Sequence, residues 1–194
     1  FGFSVVPVAL FFFLFPAMSF SLANKLAPAA KAKKTSPFQW LTIIIVLLIS
    51  SHLLRLTYHY FLADYYFQQA EKASKNQQFK NSFQNLSQAI ELKADEPGYY
   101  NQLAWSLGQL AFLAQSQNEN ELAIELSQRA VKASNQALRI SPFNLNFWKD
   151  RAKMLFNLAQ VDEKYYQETL EALLTAGELA PTEVKSRYNL GLLY

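Results

Sequence analysis

The sequence predicts an all-α chain: two transmembrane helices, over 1–23 and 38–57, then a stack of about three and a half helical hairpins, an α-solenoid, over 58–194. Three observations predict it. Two long apolar runs flank a short loop, 24–37, that holds four lysines and no acid. All fifteen acidic residues come after residue 57, starting at Asp64. Beyond Tyr58, apolar residues recur at helical spacing and one closing phrase returns three times.

The first run, Phe1 to Ala23, has no charged residue. As a helix it reaches roughly 35 Å, enough to cross a hydrocarbon core of about 30 Å. Pro7 and Pro16 are tolerated in a membrane bundle, where neighbouring groups satisfy the freed backbone. The second run, Phe38 to Leu54, spans about 26 Å, with Trp40 and Tyr58 to Tyr60 as interfacial anchors. His52 and Arg55, near its end, reach the headgroups. A lipid bilayer is therefore the first partner the sequence names.

Lys25, Lys31, Lys33, Lys34 and Arg55 are the only charges in the first 57 residues, a net of +5. The rest carries thirteen basic against fifteen acidic residues, a net of −2, so the chain's overall +3 comes from its front and does not point to nucleic acid. A loop as basic as 24–37 stays cytoplasmic by the positive-inside rule, which puts the repeats on the extracytoplasmic side. A cleavable secretory signal fits less well, since it wants a basic leading region and no second span directly after it. The chain opens at Phe1 inside an apolar run and stops at Tyr194 inside a helical pattern. The expectation is a fragment of a longer protein.

After Tyr58 there is no strand alternation and no hairpin dipeptide. Leu103, Leu107 and Leu110, and again Leu122, Leu126 and Ala130, mark apolar helix faces. Breaks fall at Asp95–Glu96–Pro97–Gly98, at Ser141–Pro142 and at Ala180–Pro181. The helices before them close as AIELKADEP, ALRISPFN and AGELAPTE, with Ala89, Ala137 and Ala176 in equivalent places. This pattern resembles the tetratricopeptide repeat (TPR) family. Leu190, Gly191 and Tyr194 fall on its Leu, Gly and Tyr positions. Trp148, Ala152 and Pro181 serve one unit earlier, Tyr100, Leu103 and Ala104 before that, and Ala70 and Ala89 mark a first unit. The small positions Ala70, Ala104, Ala152 and Gly191 stand 34, 48 and 39 residues apart, against a family period of about 34. The excess implies about four additional helical turns in the second unit, around Gln115 to Asn120.

The inventory argues against catalysis within this segment. There is no cysteine, and the only two histidines, His52 and His59, lie beside the second span. That rules out a Ser–His–Asp site or a His-ligated metal in the repeats. With five glycines and no phosphate-cradling loop, no cofactor is expected. Glu121 with Glu125, and Glu168 with Glu171, stand at helical spacing as ordinary solvated faces. What the TPR resemblance implies instead is a groove lined by first helices, holding a protein or peptide partner. By position its residues are Asn101, Trp105, Lys149, Lys153 and Asn157, whose amides and ammonium groups suit a carboxylate or an extended acidic peptide.

The layout of span, basic loop, span and outward repeats also resembles the C-terminal end of bacterial O-antigen ligase/polymerase family proteins. ISPFNLNFWKDRAKMLFNLAQ and APTEVKSRYNLGLLY carry that likeness. It implies a bacterial inner (cytoplasmic) membrane, cell-surface polysaccharide assembly, and a catalytic part upstream. The alternative is a non-catalytic anchored scaffold for assembly or secretion of envelope components.

Overall fold

A computed structural model of the protein describes residues 14–23, 37–182 and 191. Seven helices and no strand lie among them: α1 Leu14–Ala23, α2 Pro37–Lys75, α3 Phe79–Leu92, α4 Pro97–Ser116, α5 Asn120–Ile140, α6 Leu145–Leu158 and α7 Lys164–Leu179. The chain forms two compact units, 1–50 and 51–194. Most of the first apolar run, most of the basic loop, and Leu190 and Tyr194 of the closing phrase lie outside the described residues.

The first unit holds α1 and the start of α2. Its described side chains are exposed, and those of α2 from Phe38 onward are almost wholly apolar. An apolar surface on every side of a helix suits lipid rather than water. Among the described residues α2 is the one helix long and apolar enough to cross a membrane. The described part of α1 covers ten residues at the end of the first apolar run. The Thr42 hydroxyl donates to the Phe38 carbonyl at 2.9 Å, which satisfies the one hydroxyl in the run's first turns within the helix itself.

In the second unit the helices pair as hairpins α2–α3, α4–α5 and α6–α7. The first two hairpins turn in the same way. Gln77 and Asn118 adopt left-handed backbone, φ 59° and 61°. The amide of the following residue then reaches back to the helix, Gln78 to the Ala73 carbonyl at 2.8 Å and Glu119 to that of Ala114 at 2.9 Å. These are Schellman closures, which satisfy carbonyls that the helix end would orphan. Between hairpins a second device recurs. Lys93, Ser141 and Ala180 share a cap conformation, with φ from −136° to −149° and ψ from 73° to 88°. Each donates its backbone N–H to Ala89, Ala137 or Ala176, all three essentially buried. The recurring closing phrase is thus one physical event repeated: a small residue lets the chain turn closely over the helix end.

Small residues also set the packing. Ala63, Ala70, Leu86, Ala89 and Tyr99 form one core across α2, α3 and α4. A second, around Ala104, Leu107, Ala111, Ala130, Leu155 and Leu158, joins α4 to α7. The Ser82 and Ser106 hydroxyls, both buried, pair at 2.9 Å between α3 and α4. The middle hairpin has helices of 20 and 21 residues, against 14 and 16 in the last. It is longer by about three turns, with its bend at Gln117–Glu119, inside the segment where the spacing put the extra length.

Candidate functional site

The first helices of the three hairpins, α2, α4 and α6, line a cleft of about 250 Å³. Glu71, Ser74 and Lys75 come from α2, Asn101, Gln102 and Trp105 from α4, and Asp150 and Lys153 from α6. Glu71, Trp105 and Lys153 each follow directly after the buried alanine of their helix, Ala70, Ala104 and Ala152. The same geometric place in three successive hairpins therefore presents an acid, an aromatic and a base.

Two contacts tie α4 to α6 across the cleft. Asn101 donates its amide to an Asp150 carboxylate oxygen at 2.7 Å. The Lys153 ammonium lies 4.4 Å from the centre of the Trp105 ring, a cation–π contact. Glu71 and Asp150 balance Lys75 and Lys153 in formal charge. The cleft is thus polar and mixed in sign, with one indole as its large apolar face. Such a surface can pair with both charges of an extended peptide and with its backbone.

A second cleft, of about 300 Å³, lies between α5, α6 and α7 and encloses the largely buried Arg151. Its guanidinium donates to Ser134 at 3.0 Å and Asn135 at 2.8 Å, and lies 3.7 Å from Glu168. Ser134 stands three residues before Ala137, where α3 and α7 carry Leu86 and Leu173 before Ala89 and Ala176. The smaller serine leaves room that Arg151 enters from the next hairpin. Burial lowers the Arg151 pKa, while the Glu168 and Glu171 carboxylates raise it. The group works as a cross-link between three helices.

No family model matches the chain, and no curated protein matches it. A solved structure does: the Arabidopsis OM64 TPR domain superposes over 70% of this chain and 96% of its own length, at 17% identity and a TM-score of 0.53. The fold is TPR-like. The hairpins read from the closing alanines are therefore TPR-like hairpins, and the cleft lies on their first helices.

Of the five residues the sequence singled out, the structure brings Asn101, Trp105 and Lys153 together in the cleft. Lys149 and Asn157 are half-buried on α6 and do not line it. Glu71, Ser74, Lys75, Gln102 and Asp150 were missed. The signal for Glu71 was present, since counting one place on from Ala70, as from Ala104 and Ala152, reaches it.

Proposed function

We propose that the chain is a membrane-anchored TPR-like module that binds an extended segment of a protein partner along the cleft of α2, α4 and α6, with the repeats on the extracytoplasmic side. The observation that carries this reading is the cleft itself, where three successive first helices contribute Glu71, Trp105 and Lys153 from one register. Membrane anchoring is supported by the apolar length of α2, and sidedness by the four lysines of the 24–37 loop. Asn101, Trp105 and Lys153 are assigned to peptide contact, and Lys149 and Asn157 to the rim of the same face. The partner segment carries acidic residues opposite Lys75 and Lys153 and a polar or basic residue opposite Glu71.

The test is a peptide array of mixed-charge and acidic segments probed with the detergent-solubilised chain, followed by titration of the best binder. Lys153→Glu is expected to weaken that binder at least tenfold, and Trp105→Ala by a similar factor, with helix content unchanged. Binding indifferent to both changes would remove the cleft from the function.

A second reading concerns the larger protein. The order of apolar run, basic loop, apolar helix and repeats supports assigning the module to an O-antigen ligase/polymerase-type transferase of polysaccharide assembly. A free-standing scaffold for assembly or secretion is the alternative. Upstream sequence separates them: further spans with a long outer loop favour the transferase, and a start codon just before Phe1 removes it.

A further inference from the structure

A third cleft, of about 530 Å³, lies at the opening of the second unit, on residues that no part of the peptide groove uses. One wall is a stripe of α2: His52, Arg55, His59 and Tyr60, spaced so that they share one helix face. The other is the link between α3 and α4, with Lys93 and Asp95. The stripe begins two residues before Leu54, the last residue of the apolar run, and continues to Tyr60, six residues beyond it.

The chemistry of the walls is unequal. The α2 wall offers N–H donors from a guanidinium and two imidazoles. On the opposite wall the Lys93 ammonium is held by Glu96 at 2.9 Å and lies 5.4 Å from the centre of the Tyr60 ring. Those contacts fix it as a short, stationary post. Arg55 and Asp95 are both exposed, and neither has a hydrogen-bond or ion-pair partner among the described residues. A guanidinium left open beside an apolar helix suits a phosphate, which it can meet with two parallel N–H bonds. A carboxylate left open on the facing wall suits an ammonium. Tyr58 and Phe61, both exposed, flank the stripe as amphipathic and apolar groups do at the headgroup level.

We propose that this cleft binds the headgroup of an aminophospholipid, its phosphodiester on Arg55 with the His52 and His59 imidazoles, and its primary ammonium on Asp95. The proposal rests on the reading that α2 is anchored in a bilayer. A lipid is favoured over a soluble phosphodiester because the donors continue directly from the apolar helix, so acyl chains have an apolar surface to lie against while the headgroup is held. Choline headgroups share the phosphate but lack N–H donors for Asp95, and glycerol headgroups lack the cation.

The experiment reconstitutes the full chain into vesicles of equal parts phosphatidylethanolamine, phosphatidylglycerol and phosphatidylcholine. The protein is then extracted in mild detergent, and the retained phospholipids are quantified by mass spectrometry. Flotation with the vesicles comes first: a chain that does not float overturns the anchoring reading and this one together. In a chain that floats, phosphatidylethanolamine is expected to be enriched at least threefold over phosphatidylcholine. Arg55→Gln is expected to abolish the enrichment, and Asp95→Asn to remove the preference for phosphatidylethanolamine over phosphatidylglycerol. Floating chain with lipids retained in their bulk ratio, or an enrichment that Arg55→Gln leaves intact, overturns the site while leaving the anchor standing. Displacement of the lipid by glycerophosphoethanolamine at equal concentration would assign the cleft to a soluble phosphodiester and overturn the lipid assignment.

Discussion

Tyr99 is almost fully buried at the start of α4, its ring tilted against Phe67 at 4.9 Å and its hydroxyl donating to Asp64 at 2.6 Å. Burial first, and then the hydrogen bond and charge of Asp64, push the phenol's pKa well above its ordinary value. The native state thus favours the protonated phenol. Its contribution is full below the unfolded pKa of about 10 and is lost as pH rises from there through the folded value. Tyr99→Phe keeps the ring and removes the bond to a carboxylate, so it should cost about 1.5–3 kcal/mol at neutral pH. Urea melts between pH 7 and 11 should also show a flatter alkaline decline in the variant; an unchanged slope would remove Tyr99 as its source. Trp148 illustrates a place where residue type alone overstates burial. A tryptophan in the aromatic position of a repeat reads as a core residue, worth about 3–5 kcal/mol on truncation. In the structure it is half-buried and its indole N–H donates to the Pro142 carbonyl at 2.8 Å. Trp148→Ala should therefore cost about 1–3 kcal/mol in thermal or protease assays, through a lost bond and partial packing.

At the scale of elements, the two kinds of turn differ in how openly the sequence announces them. The closing alanines were readable because the cap they serve tolerates only a small side chain and is followed by proline or an extended residue. The caps that donate to Ala89, Ala137 and Ala176, which are Lys93, Ser141 and Ala180, accordingly share one backbone geometry. The bends inside hairpins were less readable, because Gln77 and Asn118 occupy left-handed backbone without being glycine. That mismatch makes a prediction. Gln77→Gly and Asn118→Gly each relieve a Cβ penalty in the folded state but loosen the unfolded chain, and each should stabilise by about 0.5–1 kcal/mol. The larger gain is expected at Gln77, since asparagine already tolerates this region. Equal or negative shifts in melting temperature would mean that the side chains contribute contacts of their own. The groove was half readable for a related reason. Counting from the buried alanine finds Trp105 and Lys153, but whether Lys149 or Asn157 reaches the cleft depends on the neighbouring hairpin, which no local spacing encodes. The Asn101–Asp150 bond joins residues 49 apart in sequence.

For the whole molecule, stability in such a stack passes from hairpin to hairpin through a few interfaces. The joint between the middle and last hairpins depends on Gly108, where an added Cβ would come within 2.9 Å of the Met154 Cγ. Gly108→Ala gains up to about 1 kcal/mol of helix propensity, but overpacking costs about 1–3 kcal/mol. The expected outcome is a net loss and a broader urea transition, as the last hairpin begins to melt apart from the rest. Adding Met154→Ala should make the pair less damaging than the sum of the single changes; strict additivity would show that the two do not meet. The cation–π contact in the cleft has a consequence of its own. Of three tryptophans, Trp40, Trp105 and Trp148, Trp105 is the one that lines the cleft, beneath the Lys153 ammonium. With the other two replaced by phenylalanine, its emission becomes an intrinsic optical gauge of occupancy: any guest that draws Lys153 off the indole changes the light it gives, without a label and whatever the chemistry of the guest.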